Sequence, residues 1–275
     1  MSEEETPRYS PEWLGSRERA DADARSVELL EPLRRHLAGV DRPVIRDLGC
    51  GTGSMGRWLA RQLPGPQHWI MHDHDPELLA HASANMVGTA ADGAPVTVET
   101  QQGDVTRLTA GELTGATLVT ASALLDLFTL DEVTGLAAAC VGAGCPALLT
   151  LSVVGRVEFT PANPLDADLT AAFNAHQRRE SGGRRLLGPD AADATAEAFT
   201  ALGATVLVRP SPWRLGPTQA GLTEHWLRGW VAAACEERPE LTEPAAGYLA
   251  ERIAAIRSGE LQAVVEHEDL LAGYE

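Results

Sequence analysis

At 275 residues, with 44% hydrophobic and 22% charged side chains, the chain has ample apolar material for a core, which excludes wholesale disorder. Its 39 acidic residues outnumber 22 basic ones, all of them arginine, for a net charge of −17. Without lysine there is no Schiff-base chemistry, pyridoxal phosphate included, and no Walker-type phosphate loop, while the negative charge repels polyanions and so disfavours nucleic acid as a partner.

No run approaches the ~18 apolar residues of a membrane helix. The start, Met1-Ser2-Glu3-Glu4-Glu5, is acidic where a secretory leader is basic and then apolar, so a soluble cytoplasmic protein is expected. Cys50, Cys140, Cys145 and Cys235 form no C-x-x-C pair and are expected as buried free thiols. With no H-E-x-x-H and no clustered His/Cys set, no metal is expected.

Along the chain, Ser10-Pro11 opens a helix with a capping serine and a first-turn proline. A longer helix is predicted from about Ala20 to Leu37 on the spacing of Val27, Leu30, Leu33 and Leu37. Strands are then predicted at Val44–Leu48, His68–His72, Val96–Thr100, Thr117–Thr120 and Ala147–Val154, with helices between them at about Ser54–Leu63, Pro76–Met86 and Leu130–Val141. Such alternation predicts parallel βαβ units. Beyond Gly155, helices are predicted over Asp166–Arg179, Pro189–Leu202, Thr218–Glu237 and Glu243–Ser258, with strands at Thr205–Val208 and Gln262–Glu266. The fold class is α/β: a Rossmann-like, seven-stranded, mostly parallel sheet with helices on both faces and one reversed strand near the C-terminus. Residues 1–40 form an N-terminal helical cap, 41–155 a ligand-binding core, and 156–275 helical insertions with the last two strands, all within one domain.

The chemistry concentrates in Asp47-Leu48-Gly49-Cys50-Gly51-Thr52-Gly53 at the end of the first strand. Glycines there allow a tight turn and a close ligand approach, and the following helix directs its N-terminal amides at that ligand. Gly51-x-Gly53-x-x-Gly56 also satisfies the dinucleotide fingerprint, so the glycines alone leave the ligand open. Asp73 ends the second strand, 20 positions after Gly53, where a carboxylate accepts ribose hydroxyls. Gly103-Asp104-Val105 follows the third strand, where a carboxylate meets an adenine amine. Asp47, at the phosphate end of a dinucleotide site, repels a pyrophosphate and attracts a cation. Together these residues select an adenosine joined to a positively charged amino-acid tail.

The segments Asp47–Gly53, Asp73-His74-Asp75-Pro76, Gly103-Asp104-Val105 and Thr117–Leu125 resemble those of class I S-adenosylmethionine-dependent methyltransferases, over about residues 40–155. Thr117 departs from the acidic residue many relatives carry there. The resemblance implies that Gly49, Cys50, Gly51 and Gly53 cradle the methionine moiety beside Asp47, that Asp73 with neighbouring His74 holds the ribose, and that Asp104 and the Val105 amide read the adenine. The backbone at Ala121 and Ser122 lines the methionine end. It further implies a cap in which Tyr9, Trp13 and Arg17 close the site; Arg25 reads either as a partner of the methionine carboxylate or as a surface helix charge.

The expected activity is methyl transfer to O, N or C of a small-molecule acceptor. Asp126, just past the fourth strand, and His176, on the helix after the fifth, are the candidate bases. Arg178, in a cluster with Arg179, Arg184 and Arg185, is a candidate for orienting an acidic acceptor. Trp226 and Trp230, four apart, read as a packing stripe. Two rivals stand beside this activity: an NAD-dependent oxidoreductase using the glycines and Asp73, and a protein of the same fold that binds S-adenosylmethionine without methylating anything.

Overall fold

A computed structural model describes residues 9–274; the acidic opening segment lies outside the described residues. The chain begins with helix α1 (Pro11–Ala24), whose N-terminal amide at Trp13 is capped by the Ser10 hydroxyl at 3.2 Å. The helix predicted over 20–37 is broken. Arg25 and Ser26 are extended, and a short 3₁₀ turn (Val27–Leu29) leads into α2 (Leu30–Leu37). The break has a tertiary cause: the Ser26 amide donates at 2.8 Å to Asp269, 243 residues away, rather than continuing the helix.

The core then alternates as β1 (Val44–Leu48), α3 (Ser54–Ala60), β2 (Gln67–Asp73), α4 (Pro76–Asn85), β3 (Val96–Gln102), β4 (Leu118–Ser122), α5 (Leu130–Gly142) and β5 (Ala147–Thr160). Local caps fix the helix starts. Asp75 accepts from the Glu77 amide ahead of Pro76, and Thr129 and Glu132 form a capping box on α5. The second half contains α6 (Asp166–Gln177), a small hairpin of β6 (Glu180–Ser181) and β7 (Arg184–Arg185), α7 (Ala191–Ala201), β8 (Val206–Pro210), β9 (Trp213–Leu215), α8 (Ala220–Glu237), α9 (Thr242–Ser258) and β10 (Gln262–Ala272).

The main sheet runs β3-β2-β1-β4-β5-β10-β8, with β10 antiparallel to both neighbours and the short β9 pairing β10 as an eighth strand. The seven predicted strands are thus present with one reversed near the C-terminus. β9 and the β6–β7 hairpin were not predicted. Side chains alternate between the two covered faces: Val119 and Leu149 pack with Val133, Leu136 and Phe199, whereas Leu118 and Leu148 pack with Leu59, Trp69 and Leu79. The chain leaves β1 for β2 on one side and returns to β4 on the other. The crevice beyond the carboxyl ends of β1 and β4 is therefore the place where open α/β sheets bind ligands.

β5 and β10 extend past the sheet as an antiparallel ribbon with two irregularities. One faces Asp269, where Leu151 adopts φ +57°, and the other lies around Gly155, φ +71°. A side chain at Gly155 would meet the Asn174 amide at 2.7 Å, so the second irregularity needs glycine. Asp269, 1% exposed, accepts from the Leu151 and Ser26 amides, each at 2.8 Å, and so joins the bulge to the cap. Asp269→Ala leaves both amides without that partner, at ~1–3 kcal/mol per buried donor. The variant is expected to lose about 2 kcal/mol or more of unfolding free energy in a urea titration; a loss below ~0.5 kcal/mol contradicts this anchoring.

Candidate active site

A cavity of about 580 Å³ lies at the carboxyl ends of β1, β2, β4 and β5, roofed by α1 and walled on its far side by α6 and α8. It opens from the glycine turn. Gly49 and Gly51 sit at φ +58° and +53°, and a Cβ on them would meet the Leu124 side chain at 2.8 Å and Leu14 of α1 at 3.1 Å. The turn is therefore a backbone surface enclosed by the β4 loop and the cap.

At its base, Asp47 is fully buried. Oδ1 accepts from the Thr120 hydroxyl at 2.7 Å, and Oδ2 has no partner among the described residues. Burial pushes this carboxyl up to about 7, against the pull of the Thr120 hydroxyl and the positive charge of Arg25. Arg25, 3% exposed at the break after α1, donates through Nη2 to the Ser122 hydroxyl at 3.0 Å and to Ser54 at 3.3 Å. Its Nε and Nη1 have no partner among the described residues. Burial also lowers its pKa. Two opposite charges thus face one cavity with unsatisfied polar atoms and no ion pair between them among the described residues.

Asp73, 5% exposed, accepts from the Gly51 amide at 2.9 Å and the Asp75 amide at 3.0 Å, with His74 Nδ1 3.2 Å from Oδ1. The Gly51 bond ties β2 to the glycine turn and fixes the carboxylate at the cavity edge. Asp104 caps the short turn after β3, accepting from the Thr106 amide and hydroxyl, and Val105 lines the cavity beside it. Gly103 lies so close to His72 that a Cβ would approach Nε2 to 2.9 Å, which seats this loop directly on the sheet. Cys50 lines the turn as a buried thiol whose pKa burial raises.

The cap completes the roof. Tyr9, Trp13, Leu14 and Arg17 all line the cavity. Glu18 binds Arg57 of α3 through both carboxylate oxygens, at 2.8 and 2.6 Å, while Arg57 also donates to the Thr52 carbonyl at 2.6 Å. The cap is thereby fastened to the glycine turn. Asp126, just past β4, also lines the cavity, and burial raises its pKa as it raises that of the nearby Tyr9 phenol.

Several sequence candidates are not brought to the cavity. His176 does not line it: its Nε2 lies 3.3 Å from Glu236 of α8 and its Nδ1 3.2 Å from Arg179. The helical period turns Phe173, Asn174 and Gln177 inward instead. Arg178 does not line the cavity either; it forms a bidentate pair with Asp190. Gly53 and Ala121 lie behind the wall, whose surface is formed by Gly51, Thr52, Ser122 and Ala123. Ala123 has φ +52°, a strained backbone position at the end of β4. Trp226 and Trp230, expected as packing, line the cavity as well as the core. His267 of β10, 4% exposed, is a lining residue that no sequence pattern singled out.

Residues 45–143 match the family model of the methyltransferase domain. A biotin biosynthesis bifunctional protein, BioCD, from Bordetella avium is 40% identical over 65 residues, which is 24% of this chain and 14% of that protein's length. The cyclopropane synthase MmaA2 of Mycobacterium tuberculosis overlaps 90% of this chain and 83% of its own, at 15% identity and a TM-score of 0.47. A methyltransferase from Geobacter sulfurreducens, solved with S-adenosylhomocysteine, overlaps 95% and 98% at 16% identity and a TM-score of 0.43. The methyltransferase family uses S-adenosylmethionine, and the site fits that molecule: unpartnered oxygen on Asp47 and nitrogens on Arg25 complement an ammonium and a carboxylate beside a backbone cradle. Among the described residues no helix is long and apolar enough to cross a membrane, and no group of His, Cys, Asp and Glu is placed to hold a metal.

The raised carboxyl of Asp47 has a signed consequence. Between its ordinary value of 3.8 and about 7, the folded chain keeps a proton that the unfolded chain has released, so this group's contribution to stability falls as pH rises through that window. Urea unfolding of the ligand-free protein across the window, wild type minus Asp47→Asn, is expected to decline with pH. A flat difference contradicts the buried, uncompensated state of this carboxyl.

Proposed function

We propose that the protein transfers the methyl group of S-adenosylmethionine to O, N or C of a small-molecule acceptor held under the cap. The observation that carries this reading is the pair of buried opposite charges, Asp47 and Arg25, each with polar atoms that have no partner among the described residues, in the cavity that the glycine turn lines. A pyrophosphate would place negative charge against Asp47, whereas a zwitterionic amino-acid moiety satisfies both residues. In this reading Asp47 and Arg25 hold the ammonium and carboxylate, with Gly49, Cys50 and Gly51 as the cradle. Asp73, with His74 beside it, accepts ribose hydroxyls, and Asp104 with the Val105 amide meets the adenine edge.

When bound, S-adenosylmethionine supplies an electrophilic methyl carbon on a sulfonium. The residues around it have three tasks. Leu14, Trp13 and Tyr9 of the cap exclude water and fix the acceptor's approach, and proximity supplies much of the rate. With the group held by Asp47, Arg25, Asp73 and Asp104, the acceptor's nucleophilic atom would take the methyl carbon as the methyl–sulfur bond breaks, its electron pair staying on sulfur. Asp126 takes the acceptor proton where the acceptor arrives protonated; the burial that raises its pKa makes it a stronger base than an exposed carboxylate.

Calorimetry with two ligands tests the charge assignment. Arg25→Met is expected to weaken S-adenosylhomocysteine by about 30-fold or more, the cost of removing one partner of a buried charged contact. It is expected to leave 5′-methylthioadenosine, which lacks the amino-acid moiety, unchanged. Equal weakening of both ligands, or of neither, removes Arg25 from the carboxylate site. For the wild type, S-adenosylhomocysteine affinity is expected to rise between pH 5.5 and 7.5 as Asp47 loses its proton, and Asp47→Asn is expected to abolish the rise.

A further inference from the structure

Past Asp126 the cavity continues between the β5–β10 ribbon, α6 and α8, and its wall changes character. Four of the chain's six tryptophans, Trp13, Trp213, Trp226 and Trp230, line the cavity together with Phe173. Trp226 and Trp230 stack at 5.9 Å with 29° between their planes, and Phe159 meets the edge of Trp230 at 5.7 Å. Trp13, Phe173 and Trp226 are half-buried, so ring surface remains for a ligand. Such a wall stabilises planar molecules through dispersion and offset stacking.

Set among these rings are polar atoms without partners among the described residues. Trp230 is 2% exposed, and its indole N–H, a donor only, is unpartnered. His267 is 4% exposed with Nδ1 unpartnered, and its ring lies 5.4 Å from that of Trp213. Burial and the charge of Arg17 push its pKa down to about 3, so the imidazole is neutral and one ring nitrogen is an acceptor. Asn174 donates Nδ2 to the Gly155 carbonyl at 2.8 Å, which leaves Oδ1 as a free acceptor. Buried polar groups without partners are costly, so this subsite favours a ligand that supplies a hydrogen-bond acceptor and at least one donor. A cation is disfavoured because Arg17 already occupies the face of Trp213, 4.9 Å from its centroid.

Resting on the methyltransferase reading above, we propose that the acceptor is a planar aromatic molecule bearing a hydroxyl and a carbonyl-type oxygen. It stacks against Trp226 and Phe173, Trp230 Nε1 donates to its carbonyl oxygen, and His267 accepts from its hydroxyl. His267 is then a specificity-determining residue, since a ligand lacking the hydroxyl leaves its nitrogen unpaired.

The test is calorimetry on protein saturated with S-adenosylhomocysteine, using 7-hydroxycoumarin, coumarin and tetramethylammonium as probes. 7-Hydroxycoumarin is expected to bind, with coumarin at least ~10-fold weaker and tetramethylammonium weaker still. Trp230→Phe keeps the ring and removes the donor, and is expected to weaken both coumarins about 10-fold. His267→Phe is expected to erase the preference for the hydroxylated probe. Unchanged S-adenosylhomocysteine affinity in both variants establishes that they fold, and this control separates loss of a polar contact from loss of structure. No binding of 7-hydroxycoumarin, tighter binding of tetramethylammonium, or a preference that survives His267→Phe overturns the proposal. Failure of the wild type to bind S-adenosylhomocysteine overturns the methyltransferase reading instead. The coumarin titrations, repeated on ligand-free protein, then decide the aromatic subsite separately.

Discussion

Burial of Asp47 and Arg25 in one cavity, with no ion pair between them among the described residues, is the constraint around which the rest of the molecule is arranged. An isolated charge inside a protein is expensive, and unless it is compensated it shifts toward its neutral form. Here the compensation is incomplete on both sides. Thr120 satisfies one oxygen of Asp47, and Ser54 and Ser122 satisfy one nitrogen of Arg25. The folded chain tolerates the remainder because the surrounding framework is rigid. Parallel strands flank Asp47 on both sides, and the α1 break that presents Arg25 is pinned by Asp269 from the last strand. Stability drawn from the sheet thus maintains a binding surface that is electrostatically unfavourable when empty.

The first half of the architecture was legible because its determinants are local. Period-two apolar strands, the Ser10, Asp75 and Thr129 caps and the glycine turn each carry their signal within a few residues, and they place Asp47, Asp73 and Asp104 along the carboxyl edge of the sheet. What escaped is long-range. Val27, Leu30, Leu33 and Leu37 gave a helical spacing strong enough to run through Arg25, and only the contact between Ser26 and Asp269 interrupts it. The extension of β5 through Gly155 was hidden because glycine reads as a terminator when its bulge partner, on β10, is more than a hundred residues away.

The acceptor half shows the same division. His176 drew attention as an ionisable residue on a helix expected near the acceptor, yet helical phase decides what faces inward. Leu169, Ala172 and His176 share one face of α6, with His176 beside Glu236 of α8, whereas Phe173, Asn174 and Gln177 share the adjoining face that lines the cavity. The apolar period of Leu169, Ala172 and Phe173 runs through His176, so the sequence pattern pointed at the histidine, and only the packing of α6 beside α8 shows that the cavity meets the adjoining face. His267 carried no comparable signal, because its exposure to the cavity depends on the register shift between β5 and β10.

The clamp between Glu18, Arg57 and the Thr52 carbonyl bears on how firmly the cap is held. One guanidinium grips both the cap and the backbone of the turn, so α1 cannot swing aside without breaking a forked charged contact near the surface. Contacts of this kind weaken as mobile ions accumulate around them. The hold of the cap on the glycine turn therefore loosens as ionic strength rises, while the buried contacts beneath it remain shielded.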